Sequence, residues 1–338
     1  MNLKLLDTMP SFSDLLTKLN WTKVTAVDEG LYTSFCARST DIFSYENNWA
    51  FFVQESRLAA VKYCDGDVLI TLVAKDFDSP FVFILPPLGD RSVFVERLHC
   101  LSEEVRCSTA KRPILRKVND ELANDLLLSD CFCEVPPSSF THARDYPEDV
   151  YPQVIVATGD GAAMLGGHFQ RTRNHLNYLR RHHSVVANDI TPTGAADVVD
   201  VVRQWTAQHA MRMMQQDITV GTSVDATAYT VFSDSFATRV DNLNYFGRVL
   251  YVDGHATGFA FAGRTGPESA ALYSSLCLLG ARGCSEFLIM DLMRELRMSG
   301  IAFLNLGGSE TEGLFNFKSK FGSVARRRSR ELEYLGTS

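Results

Sequence analysis

Asp-Gly stands between two apolar runs of strand character at two places in this chain, Asp65-Gly66 and Asp253-Gly254. Both residue types tolerate the positive φ of a two-residue turn, so each pair predicts a β-hairpin. Ala50-Phe51-Phe52-Val53 and Ala59-Ala60-Val61 precede the first pair and Val68 to Val73 follows it; Phe246 to Val252 and Thr257 to Ala262 flank the second. Each hairpin is then followed by a strand, a tight turn and a helix. After the first come Phe81 to Leu85, the turn Pro86-Pro87-Leu88-Gly89, and Phe94, Leu98, Leu101 and Val105 at helical spacing. Asn119 before Asp120 and Glu121 reads as the cap of a further short helix. After the second come Ala271 to Cys277, the turn Gly280-Ala281-Arg282-Gly283, and a helix with Leu288, Ile289, Leu292, Met293 and Leu296 on one face and Asp291, Arg294 and Glu295 opposite. Gly300 ends that helix and the strand Ile301 to Leu306 begins.

That order predicts an α/β (α+β) chain of two lobes, each a mixed, mostly antiparallel sheet flanked by helices. Composition shifts to Pro, Ser and acids from Pro136-Pro137 to Pro152, which places the lobes at 1–150 and 151–338. Between the boundary and the second hairpin, one helix is expected around Met164 to Arg181. A longer one carries Val198, Val201, Val202, Trp205 and His209 on one stripe.

With 338 residues, 46% of them apolar and 22% charged, each lobe has enough material for its own core. The net charge of -7 excludes a generally basic nucleic-acid-binding protein but leaves room for a local basic site. The eight cysteines form no C-x-x-C pair and no zinc spacing, so reduced thiols in the cytoplasm and no metal are expected. The first residues, MNLKLLDTMPSFSD, lack the apolar core of a signal peptide, and no apolar run is long enough to span a bilayer. No G-x-S-x-G elbow, Walker or Rossmann glycine pattern or H-E-x-x-H is present. Chemistry must then come from transfer out of an activated donor, with positioning carrying most of the catalysis.

The residues for it gather near the end. Asn305 to Gly322 reads NLGGSETEGLFNFKSKFG: a strand ends in Gly-Gly, an acidic turn follows, and Lys318 and Lys320 stand among Phe317 and Phe321. Lys318 is placed to steady a developing oxyanion, with Lys320 beside a substrate phosphate. Asn305 and Ser309 can orient a carbonyl or amide, Glu310 or Glu312 can take a proton from an attacking amine, and Phe317 can line the substrate. Gly280, Arg282 and Gly283 open a helix whose unpaired amides can hold an anion. Arg173, Asn177, Arg180 and Arg181 share one side of the upstream helix, while Phe169, Leu176 and Leu179 share another. Lys318, Lys320, Arg326, Arg327, Arg328 and Arg330 form a second run that no acid interrupts. Two basic clusters in an acidic chain point to a localised polyanion site.

Three segments resemble one family: Arg144 to Tyr151 with Leu165-Gly166-Gly167 and Arg171 to Asn177; Asp41 to Tyr45 with Phe83 to Gly89; and the ending just described. The family is the tandem-GNAT group named after the C-terminal domain of phosphatidylglycerol lysyltransferases, which is similar to Fem-type aminoacyltransferases. The resemblance covers about residues 40 to 325 and implies two GNAT-like lobes, the C-terminal one carrying the active site and the N-terminal one mainly structural. It implies aminoacyl-tRNA as co-substrate, with no tightly bound cofactor, and the tRNA acceptor end as partner. In GNAT enzymes a Gln/Arg-x-x-Gly-x-Gly/Ala turn holds the pyrophosphate of coenzyme A; here Gly280 and Ser285 depart from it. The expectation is a soluble aminoacyltransferase acting on an amine or hydroxyl of a small acceptor, as in natural-product pathways. An acyl-CoA-dependent N-acyltransferase and a non-catalytic GNAT-fold binding protein are the alternatives.

Overall fold

The computed structural model describes Thr17, residues 21–39, 44–50, Phe52, 60–74, 82–136, 151–191, 194–215, 244–280, 282–309 and 311–336. The chain forms two units, one of residues 1–41, 51–140 and 328–338, the other of residues 42–50 and 141–327. A single cut near residue 150 therefore misplaces two pieces: the last strand belongs with the first unit, and residues 42–50 with the second.

In the first unit the elements are β1 (Thr22–Lys23), α1 (Glu29–Arg38), β2 (Ala60–Cys64), β3 (Val68–Ala74), β4 (Val82–Ile84), β5 (Leu88–Gly89), α2 (Phe94–Thr109), β6 (Ile114–Val118), α3 (Asp120–Leu127) and β7 (Phe132–Val135). The Asp65-Gly66 hairpin forms, with Cys64 opposite Leu69 and Ala60 opposite Val73, but its strands are joined by the three residues Asp65 to Asp67 instead of two, and of the pair only Gly66 has a positive φ. Ala50 and Phe52 are helical instead of extended. The sheet runs β1-β2-β3-β4-β6, then the chain's last strand Arg330–Tyr334, then β7, with β5 beside β3. Among the described residues of this sheet only β4 and β6 pair in parallel, the two being connected through α2, whose Phe94, Leu98, Leu101 and Val105 are buried in the core as their spacing predicts. Asn119 caps α3, its side chain accepting from the Leu122 amide. Tyr334 is fully buried, and inside this sheet Arg116 meets Glu331 at 3.1 Å.

In the second unit β8 (Gln153–Ala157), α4 (Thr158–Ala163), α5 (Gln170–His182), β9 (Val185–Asp189), α6 (Ala195–Gln215), β10 (Tyr245–Val252), β11 (His255–Gly266), β12 (Ser269–Cys277), α7 (Cys284–Met298), β13 (Phe303–Asn305), α8 (Glu312–Ser319) and β14 (Ser323–Arg327) follow one another. The sheet order is β14-β8-β13-β12-β11-β10-β9, antiparallel except for β12 and β13, which α7 connects. Both sheets are thus mixed and mostly antiparallel. The Asp253-Gly254 hairpin forms, with Val252 opposite His255.

Two further expectations need correction. The helix expected around Met164 to Arg181 begins only at Gln170, because Met164 at φ 50 and Gly166 at φ 90 are left-handed and keep the chain after α4 out of the helical conformation. Asp291 does not face solvent: it is buried and bonded to Arg248 at 2.7 Å. The stretch carrying Phe317 and Lys318 is helical, because Thr311 caps it by accepting from the Leu314 amide. On α6, Val198, Val201 and Val202 are buried as expected and Trp205 is half-buried; the His209 side chain lies outside the described residues.

Candidate active site

β12 and β13 pair only at Ser269–Phe303, Ala270–Leu304 and Ala271–Asn305, while β12 itself continues to Cys277. The cause is local. Phe261 on β11 faces Ser274 and its neighbour Ala262 faces Leu272, so Tyr273 is an extra residue that bends β12. On the other side the chain turns at Gly307, whose φ of 75 only glycine adopts without strain. Tyr45 is seated at the freed edge of β12. Its hydroxyl donates to the Leu272 carbonyl at 2.6 Å, and the Tyr273 hydroxyl donates to the Tyr45 carbonyl at 2.8 Å. A Cβ on Gly307 would lie 3.0 Å from the Tyr45 ring and 3.7 Å from the Lys318 ammonium nitrogen. Tyr45, Gly307 and Lys318 therefore converge where the two strands part.

Lys318 projects from the last turn of α8 and donates to the Gly308 carbonyl. Asn305 is a clasp for the strand end: it is buried, donates to the Gln153 side-chain oxygen at 2.8 Å, and accepts from the Gly307 amide at 2.8 Å. Beneath it Gln153, Arg327 and Glu46 continue a buried polar chain, with Arg327 and Glu46 at 3.6 Å and Ser44 donating to Glu46 at 3.0 Å. Ser309 is wholly buried and bridged through its backbone to Tyr151, while its hydroxyl finds no partner among the described residues. Glu310 lies outside the described residues, and Glu312 opens α8.

Lys320 belongs to a separate constellation. Its ammonium meets Glu286 at 2.7 Å and lies 3.9 Å from the centre of the Phe317 ring. Glu286 also accepts from or pairs with His175 Nδ1 at 2.7 Å. Burial works to raise the Glu286 carboxyl, but the bonds from Lys320 and His175 outweigh it and hold it below the ordinary range. Burial pulls the Lys320 ammonium below the usual lysine range, against the pull of Glu286, and the nearby charge of Arg171 adds to the depression. Glu286 stands in the first turn of α7, next to the turn of Gly280 (φ 143) and Gly283 (φ 98). A Cβ on Gly283 would come within 2.7 Å of the His175 carbonyl, so the glycine there serves the close approach of α5 to α7. The positive end of α7, where an external anion was expected, faces the chain's own carboxylate.

The basic clusters divide. Arg173 donates to the carbonyls of Met164 at 2.6 Å and Gly166 at 2.9 Å, holding the break between α4 and α5. Arg180 lies over the Phe287 ring at 5.5 Å, and Arg326 over Phe315 at 5.0 Å. Arg327 is buried with Glu46, whereas Arg330 is in the first unit, bonded to Glu134 at 2.6 Å. The run from Lys318 to Arg330 is therefore not one surface. Arg282 is exposed at the turn. Sequence reasoning missed Glu46, Gln153, Glu286 and His175; an acid in a first helical turn, three residues past a glycine, was the signal for Glu286. Among the described residues, no helix is long and apolar enough to cross a membrane, and no group of His, Cys, Asp and Glu is set to hold a metal.

The family model described as phosphatidylglycerol lysyltransferase, C-terminal, matches residues 40–334. Among solved structures, a conserved protein of unknown function from Bacteroides thetaiotaomicron VPI-5482 superposes with a TM-score of 0.76 at 17% identity, covering 93% of this chain and 99% of its own. FemX does so at 0.62 and 10%, covering 93% and 97%. A tandem GNAT protein from the clavulanic acid biosynthesis pathway gives 0.50 and 12%, covering 94% and 99%. At these identities the likeness establishes the fold, which is GNAT-like. A comparison with curated proteins finds no match.

Proposed function

From the premise that this chain belongs to the family of phosphatidylglycerol lysyltransferase C-terminal domains, we propose that it is an aminoacyltransferase drawing on aminoacyl-tRNA and acting on a small acceptor. The acceptor's amine or hydroxyl attacks the ester carbonyl of the charged tRNA. The bond from that carbonyl to the ribose oxygen breaks, the acceptor gives up a proton and the ribose oxygen takes one. Lys318 steadies the negative charge that develops on the carbonyl oxygen.

The observation that carries this reading is the convergence of Tyr45, Gly307 and Lys318 at the parting of β12 and β13. The side chain that Gly307 lacks leaves room for the Tyr45 ring and the Lys318 ammonium to close on the strand end, which sets a cation there beside the backbone. What favours aminoacyl-tRNA over acyl-CoA is Glu286: a buried carboxylate in the first turn of α7, held by Lys320 and His175, engages the helix end and the cation that a pyrophosphate would need. No tightly bound cofactor is required. The site belongs to the second unit, and the first serves as its structural companion.

Thermal-shift titration tests the donor. Charged tRNA should raise the melting temperature and acetyl-CoA should not. A shift with acetyl-CoA alone overturns the reading.

A further inference from the structure

Of the face that the arginine spacing picks out on α5, Asn177, Arg180 and Arg181 are exposed and Arg173 is half-buried. Arg173 is tied to the backbone and Arg180 lies over Phe287. Arg171, Asn174, Tyr178, Arg181 and His182 are exposed and, at 3.6 residues per turn, fall in a stripe on one side of the helix, with Gln170, Asn177 and Arg180 exposed beside them. Opposite them Thr172, Leu176 and Leu179 are buried. Two features of the stripe are unusual for a solvated face. The Tyr178 ring is 43% exposed and stacked on His182, with centroids 4.2 Å apart, and His182 is fixed by its Nδ1 on the Tyr178 carbonyl at 2.8 Å. No acid occurs anywhere from Gln170 to His182. Of the neighbouring acids, Asp253 is engaged with His183 at 2.7 Å and Glu286 with Lys320 and His175.

We propose that this stripe binds the unpaired 3′ end of the RNA donor, with the Tyr178–His182 pair as a stacking platform for a base and Arg171 and Arg181 on the flanking phosphates. Charge complementarity selects a polyanion. The exposed aromatic pair selects an unpaired strand over a duplex, because only an unstacked base offers its face to a ring. An acyl-CoA reading of the active site gives such a face no role, so the inference rests on the aminoacyl-tRNA reading.

The test uses the full-length chain and a fluorescent RNA hairpin with a four-nucleotide single-stranded 3′ end, its blunt-ended counterpart serving as control. Binding is followed by anisotropy across a salt series. Wild type should prefer the tailed RNA. Tyr178→Ala should weaken that binding about tenfold while Tyr178→Phe retains it, as stacking requires. Arg181→Gln should lower the salt slope by about one. Equal binding of tailed and blunt RNA, or unchanged binding by Tyr178→Ala, overturns the platform and leaves the aminoacyl-tRNA reading standing. Failure of wild type to bind either RNA overturns both. Circular dichroism of each variant separates these outcomes from misfolding.

Discussion

Lys318 and Lys320 are two positions apart and do different work. Lys318 reaches the Gly308 carbonyl at the strand end, whereas Lys320 is committed to Glu286 and the Phe317 ring. Lys318→Met should lower turnover by about a hundredfold or more, the scale of losing one preorganised oxyanion partner, with the melting temperature nearly unchanged. Lys320→Met should instead act on stability, at about 3 kcal/mol, because it strands a buried carboxylate. Urea titration of both variants beside turnover separates the roles. Glu286 also sets an acid limit. Its folded pKa lies below the unfolded value, so its contribution is complete above an ordinary carboxylate pKa of about 4.3 and is lost as pH falls through the folded value. Lys320 adds nothing to that loss, since both states keep its proton in acid. Glu286→Gln should flatten the fall of the urea midpoint between about pH 5 and pH 3; an unchanged fall would mean that other carboxylates govern it.

At the scale of elements, the site depends on strands that stop pairing. Gly307 combines a left-handed φ of 75 with a Tyr45 ring 3.0 Å from where a Cβ would stand. Gly307→Ala should therefore cost about 1–3 kcal/mol and move Tyr45 or Lys318, lowering activity more than stability alone explains; full activity would show that the convergence is incidental. Much of this level was legible in the residues. Both Asp-Gly hairpins, the Phe94–Val105 and Leu288–Leu296 core faces and the Gly300 stop follow from local rules of turn and period. The bulge at Tyr273 was not, because it is set by register between strands and leaves no local signature. Nor was the partnering of Arg173, Arg327 and Arg330: spacing says which side of an element a cation takes, not which carbonyl or carboxylate awaits it. The Met164 break escaped for a related reason, since a left-handed methionine is disfavoured in isolation and is held here by the Arg173 bonds.

At the scale of the whole molecule, the two units exchange segments, which no composition shift near residue 150 could announce. The strand Arg330–Tyr334 sits between β6 and β7 and buries Leu332 and Tyr334 in the first unit's core. Truncation after Arg327 should unfold that unit and leave the second folded, seen in limited proteolysis as protection of the second unit, residues 42–50 and 141–327, and not of the first. Protection of both units would show the strand to be dispensable. The central claim is transfer from aminoacyl-tRNA at the Lys318 site, and its most direct measurement follows the label. Radiolabelled aminoacyl-tRNA is incubated with the protein and a pool of small amines and alcohols, and low-mass products are separated by chromatography. Label should pass from the tRNA into a product other than the free amino acid, with wild type and not with Lys318→Met. Label that stays on the tRNA or leaves only as free amino acid, while labelled acetyl-CoA acetylates the same pool, would contradict the account.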